Sequence, residues 1–406
     1  MRVMLLTDLY PPVVGGLEVH VQSLARELAG RGHAVTVVTG AQPGEPAEEL
    51  DAGVTVHRVE GWSRVLNGRY QNPSYRFSPP APDPGMTRAL WRLVRRYRPD
   101  VVHAHSWIVY SYLPLKRLSG AALVMTLHDY GLGCARKSNW QNDRPCRDAS
   151  FANCLRCAPG QYGTGRGIAL ATGLRVSRSL HTSVDRFIAV SASVADAGRA
   201  AARGRTIEVI PNFLPPGVDA LGVGTPRPSF LPDRDGYALY VGALSQHKGV
   251  DVLLRARAAM VSPPPPLVLI GHEAGVQVPA TEGVVVASGV SRDDVMAAWA
   301  GASIGVIPSV WDEPCPTVAL EAMSRGVPLA ASAVGGLPDL VGDAGLLVPP
   351  ADAGALSEAM ARILSDDALR SSLSAAARSR SAGFTASAVV PRIERAYAAV
   401  VQERAA

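Results

Sequence analysis

The stretch EPCPTVALE, residues 313–321, sets two glutamates eight positions apart. On an unbroken helix they would stand roughly 80° apart around the axis and ~12 Å apart along it, too far for an acid–base couple. Pro314 and Pro316 also push the residues before them out of helical torsions. Glu313 therefore belongs to a loop. The helix is expected to begin near Thr317, a residue suited to an N-cap, with Glu321 one turn inside. A helix N-terminus is a ready anion site, so the two carboxylates flank a seat for a negatively charged ligand.

Only three of the 40 basic residues are lysine: Lys116, Lys137 and Lys248. A chain that uses Arg wherever a generic cation suffices makes a retained ammonium informative, because the two groups are not interchangeable. Lys248, in GALSQHKG, comes just before a helix start, where the dipole disfavours a cation. A phosphate-binding role is expected there, with a solvent-exposed lysine as the alternative. Near the N-terminus, DLYPPVVGGLE (8–18) is not GxGxxG, which argues against a dinucleotide enzyme. Gly15 and Gly16 open a helix and either let backbone amides approach an anion or serve the turn alone.

Four of the five cysteines, Cys134, Cys146, Cys154 and Cys157, form C-x11-C-x7-C-x2-C. The pattern suits tetrahedral zinc, with free thiols, a redox pair or an iron–sulfur site as alternatives; a reducing compartment disfavours disulfides. Zinc would order the polar loop SNWQNDRP (138–145), whose Asn139 and Trp140 are the expected acceptor contacts. Cys315 reads as a small packing residue, with no base evident beside it. His103 and His105, in VVHAHSW, fall on one face of a strand by alternation. No third ligand is evident, so packing or cleft lining is expected rather than a metal. Asp233 and Asp235 read as solvated turn residues.

These residues need a scaffold of strand ends and helix starts. Apolar strand-like runs alternate with helical periodicity: 3–7, 34–38, 54–59, 100–104, 122–127, 186–190 and 207–210, then, after a proline-rich linker (211–236), 237–241, 266–270, 283–286, 303–307, 328–331 and 345–348. The pattern predicts an α/β protein with two doubly wound, Rossmann-like domains and a cleft between them, ligands binding beyond the strands' carboxyl ends. The expected divisions are 1–212, with a cysteine-rich insertion at 130–165; 213–384; and 385–406, a helix packing back on the first domain through Val389, Ile393, Tyr397 and Val400. A net charge of +5 is too small to argue for nucleic acid. No apolar run reaches membrane-spanning length and no leader is evident, so the expected compartment is the cytoplasm. Arg88, Arg92, Arg95 and Arg96 on one helix face allow peripheral contact with anionic lipid. The sequence fixes no oligomeric state.

The motifs GGLEVHVQSLARELAGRGHAVTVVT, VVHAHSW, TLHDY, VIPNFLPPGVD, VGALSQHKG and IPSVWDEPCPTVALEAMSRGVPLAASAVGGLPDLV together resemble glycosyltransferase family 4, of the GT-B fold, over nearly the whole chain. The last motif matches the family's E-x7-E signature. The resemblance implies that Glu313 holds donor-sugar hydroxyls and Glu321 the ribose. It implies that Lys248, Gly16 and the amides of Thr317 and Val318 receive the diphosphate, with Gly15, Cys315 and Pro316 in the same seat. His128, in TLHD, matches a histidine beside the donor sugar, so Glu313, His128 and Lys248 are the expected catalytic residues. Glu18 and His105 join Asn139 and Trp140 on the expected acceptor side. Some family members are similar in carrying a cysteine-rich insertion.

A retaining, metal-independent hexosyltransferase is implied. It would take a nucleotide diphosphate sugar, UDP-linked by family frequency, to a hydroxyl of a small molecule, glycan or lipid-linked acceptor, natural-product glycosylation included. An epimerase or phosphorylase of the same fold, and a decayed, zinc-ordered sugar-nucleotide-binding protein, are the alternatives. One departure stands out: the family's G-R-L-x-x-x-K-G has Ala243 here in place of its arginine.

Overall fold

The computed structural model describes residues 1–13, 15–63, 77–142, 144–261 and 264–405. The chain divides into two compact units. Unit 1 is Met1–Gln141, Cys146–Asn212 and Ala386–Ala406, and unit 2 is Asn142–Pro145 and Phe213–Thr385.

In unit 1 the strands are β1 (Arg2–Leu6), β2 (Ala34–Gly40), β3 (Glu48–Asp51), β4 (Val54–Val59), β5 (Val101–Ala104) and β6 (Ala122–Leu127). The two-residue strands β7 (Trp140–Gln141) and β8 (Arg144–Pro145), the latter assigned to unit 2, come next in the chain and lie outside this sheet, which β9 (Arg186–Ala189) and β10 (Ile207–Val209) complete. Its order is β10-β9-β6-β5-β1-β2-β4-β3. All neighbours run parallel except β3 and β4, which are antiparallel. Within this sheet β3 is the strand that apolar patterning misses: EELD is polar and half exposed, as suits an edge. Central strands are buried at almost every position, because helices cover both faces of a parallel sheet.

Unit 2 holds β11 (Tyr237–Val241), β12 (Leu267–Ile270), β13 (Val284–Ala287), β14 (Ala302–Ile307), β15 (Leu329–Ser332) and β16 (Gly345–Val348). They form an all-parallel sheet of order β13-β12-β11-β14-β15-β16. Each sheet reverses its winding once, between β1 and β5 in unit 1 and between β11 and β14 in unit 2. Such a switch point opens a crevice at the strands' carboxyl ends, where ligands bind in open α/β sheets.

The helix Ala386–Ala405 belongs to unit 1. Val389, Ile393, Tyr397 and Val400 are buried there, and the Tyr397 hydroxyl lies 2.6 Å from His103 Nδ1. No helix of the described residues is long and apolar enough to cross a membrane.

Candidate active site

In unit 2 the switch-point loops carry the predicted seat. β11 leads through residues 242–248 to Gly249, which opens the helix Val250–Ala258 in a left-handed conformation, φ +72. A side chain at Gly249 would run into the Pro308 carbonyl of the neighbouring loop, so glycine lets the two loops touch. Lys248 Nζ lies 2.7 Å from Glu313 Oε1 and 5.2 Å from the Trp311 ring centre. Ser309 Oγ donates to the same oxygen at 2.6 Å. Glu313 is 3% exposed. Both donors converge on Oε1, which fixes the carboxylate and leaves Oε2 as the acceptor to offer a ligand.

The Glu313 main chain is pinned as well, its carbonyl accepting the Gly336 amide at 2.7 Å. The next helix is Thr317–Ser324, with Pro316 at the capping position and no side-chain cap. This corrects one expectation. Thr317 is the first helical residue rather than the cap, because Pro316 already has the extended ψ of 114° that a cap requires. The amides of Thr317 and Val318 thus fall in the first turn, where helical N–H groups lack intrahelical partners. Cys315 is buried between the two prolines, consistent with packing. Glu321, one turn into the helix, is also buried. Its Oε1 accepts from Arg292 Nη2 at 2.8 Å. Burial raises the Glu321 pKa, and Arg292 pulls it back. Ala243 contributes its carbonyl to the Tyr240 hydroxyl, 2.7 Å away, and no cation.

In unit 1, Gly15 and Gly16 open the helix Gly16–Gly30. Glu18 is folded back over Gly15 and is itself buried. Its own carboxyl therefore covers that helix start, and burial raises its pKa. His105 follows β5 and His128 follows β6. His105 Nδ1 lies 3.0 Å from His128 Nε2, and their rings stack at 5.3 Å. His20, from the helix, meets the His128 ring edge-on at 4.9 Å. His103 is directed elsewhere: Nδ1 meets Tyr397 and Nε2 meets Thr126 Oγ1 at 2.7 Å. As alternation predicts, His103 and His105 lie side by side, ring centres 4.1 Å apart and both buried, while their nitrogens take different partners. Burial lowers the pKa of His20 to about 4 and of His103 to about 3, and drives those of His105 and His128 well below the usual imidazole value. All four are neutral at pH 7.

The four insertion cysteines are free, partly exposed thiols. Cys154 and Cys157 lie one turn apart on the helix Phe151–Cys157, which buries no residue. Among the described residues, the group of three candidate metal ligands whose donor atoms lie within 4.8 Å of one another is His20, His105 and His128, and no cysteine is in it. Asn139 takes φ +52 and its carbonyl accepts the Cys146 amide at 2.8 Å; Trp140 is half-buried.

Sequence reasoning missed His20, Ser309 and Arg292, each brought in by tertiary folding. It also missed Lys137, whose ammonium sits 4.3 Å and 4.7 Å from the Trp107 and Phe77 ring centres. The rarity of lysine was the available signal. Lys116, by contrast, is structural, paired with Asp185 at 2.8 Å.

Two Rossmann-like units, with a lysine–carboxylate seat at the switch point of the second, define the GT-B glycosyltransferase fold. Residues 14–217 match the family description "Glycosyltransferase Family 4", and residues 225–380 match "Glycosyl transferases group 1". The chain belongs to glycosyltransferase family 4. It is 28% identical to the D-inositol 3-phosphate glycosyltransferase of Corynebacterium aurimucosum, over 95% of this chain and 91% of that one. It is likewise 28% identical to the 2-deoxystreptamine N-acetyl-D-glucosaminyltransferase of Streptomyces fradiae, over 97% and 90%. Among solved structures, sucrose-phosphate synthase from Thermosynechococcus elongatus superposes with a TM-score of 0.72 at 22% identity, covering 99% of each chain. Anabaena HepE in complex with UDP superposes at 0.65 and 18% identity, covering 98% of this chain and 100% of that one.

Proposed function

We propose that the protein transfers a hexosyl group from a UDP-sugar to a hydroxyl acceptor with retention of anomeric configuration and without a catalytic metal. The carrying observation is the Lys248–Glu313–Ser309 cluster beside the Thr317–Ser324 helix start. In this reading Glu313 Oε2 accepts from donor-sugar hydroxyls and Glu321 from the ribose. Lys248 and the first-turn amides meet the negative charge that grows on the leaving diphosphate; fixed cations and dipoles aimed at developing charge are strong contributors to catalysis. His128 takes part on the unit 1 side as a neutral imidazole. UDP is favoured because HepE was solved with it, although a related starch synthase carries ADP. A bound zinc at Cys134, Cys146, Cys154 and Cys157 accompanies this reading. Its support is the C-x11-C-x7-C-x2-C spacing, which suits a tetrahedral thiolate set.

The test is a thermal-shift panel of UDP-, GDP-, ADP- and dTDP-sugars, followed by donor hydrolysis. UDP-sugars should stabilise the chain, and Glu313→Ala should lower hydrolysis by roughly 10²-fold or more. Proton NMR of the product with an accepted hydroxyl compound then reads the anomeric outcome. A chain that neither binds nor hydrolyses any of the four donors would sink the proposal.

A further inference from the structure

His105 has no third ligand in its sequence neighbourhood, but the fold supplies two. His103, the ring next to it in the sequence, has both nitrogens engaged by Tyr397 and Thr126. In its place stand His20 from a helix and His128 from the next strand end, and one ring nitrogen from each of the three lies within 4.8 Å of the others. We propose that His20, His105 and His128 form a binding site for one borderline transition-metal dication, with Zn²⁺ as its probe, and that an occupied site holds the enzyme inactive.

Neutral imidazole is the common ligand of such ions, and three protein nitrogens leave further coordination positions open, as in reactive rather than structural zinc sites. The rings come from three separate elements; His20 at 5% and His105 at 3% exposed are buried and His128 is half-buried, so little ordering accompanies binding. The 3.0 Å approach of His105 Nδ1 to His128 Nε2 is one hydrogen bond shared by a buried and a half-buried ring, and His105 Nε2 finds no partner. With metal–nitrogen bonds of about 2.0–2.1 Å, tetrahedral coordination sets nitrogens roughly 3.3 Å apart, so binding spreads the His105–His128 pair slightly and adjusts the third ring, whose donor lies within 4.8 Å of both. Inactivation rests on the role proposed above for His128: a ring that holds a metal is withdrawn from transfer.

Binding is tested without donor or acceptor, so it stands or falls apart from the transferase reading. The chelator-treated full chain is titrated with Zn²⁺ by calorimetry, beside His105→Gln, His20→Gln and Cys154→Ser. Each histidine variant should bind one equivalent fewer than the wild type, while Cys154→Ser retains that equivalent. With Co²⁺, the equivalent the histidine variants lose should show d–d absorption without a thiolate charge-transfer band. His20→Gln carries the test if His105→Gln misfolds, as judged by its melting temperature. Histidine variants that bind as many equivalents as the wild type would overturn the site. Zn²⁺ should also inhibit donor turnover in the wild type and at least tenfold less in His20→Gln. Equal inhibition of the two would overturn the link to activity.

Discussion

At Glu321 the proposed contact with ribose is set against stability. The residue is buried, and its pKa is raised by desolvation despite Arg292 at 2.8 Å. A carboxyl with a folded pKa above its unfolded value binds protons better in the fold, so its favourable contribution exists at low pH and is lost as pH rises through that folded pKa. At neutral pH the ionised side chain is therefore a cost. Glu321→Gln should leave the melting temperature unchanged or raise it, while weakening UDP binding about tenfold through loss of the proposed charged hydrogen bond to ribose. Arg292→Ala should do the opposite to stability, costing about 1–2 kcal/mol, since the pair lies between exposed and buried cases. Calorimetric UDP titrations paired with melting curves separate the effects. Arg292→Ala should also blunt the preference for UDP over 2′-deoxy-UDP, which a merely structural ion pair would not.

At the scale of elements, the seat depends on loops that touch through missing side chains. Gly335 has φ +56, and a Cβ there would collide with the Glu313 backbone, amide nitrogen and carbonyl oxygen alike. The Gly336 amide holds that carbonyl. Gly335→Ala must therefore shift the Glu313 loop and loosen Glu313 from Lys248 and Ser309. Donor hydrolysis should fall by 10² or more, while far-ultraviolet circular dichroism stays that of the wild type; normal turnover would show that the loop yields without harm. Much of this was legible in the sequence. Prolines act on their immediate neighbours, so the loop position of Glu313 and the helix beyond it follow from local sterics. What pairs with what was not legible. Ser309 and Lys248 converge on one oxygen, and Arg292 reaches Glu321 from another helix, through tertiary contacts that spacing does not encode. Chain periodicity did set His103 beside His105, their ring centres 4.1 Å apart, but it does not encode the Tyr397 and Thr126 partners that take the His103 nitrogens.

For the whole molecule, the chain's path makes unit 1 the vulnerable one. Six of its histidines, His20, His57, His103, His105, His128 and His181, have pKa values lowered by burial. The unfolded chain binds those protons near pH 6.5, so stability is complete above that value and lost as pH falls towards about 4 for His20 and about 3 for His103. Raised pKa values at Glu18 and Asp129 oppose this but are outnumbered. Hydrogen exchange between pH 7 and 5 should show unit 1 amides losing protection ahead of unit 2. The same unit is completed only by the chain's last helix, which returns after all of unit 2. That helix buries Val389, Ile393, Tyr397 and Val400, and its tyrosine hydroxyl satisfies His103. Tyr397→Phe leaves that imidazole nitrogen without its partner and should cost about 1–3 kcal/mol. Deleting 386–406 removes the whole apolar stripe, and the loss should fall on unit 1 alone. Unit 2 contains its entire sheet and the Lys248–Glu313 pair, so the truncated chain should still bind UDP while its unit 1 amides exchange freely. Amides of β5 and β6 that stay as protected as in the full chain would mean that the first sheet closes its core without the helix.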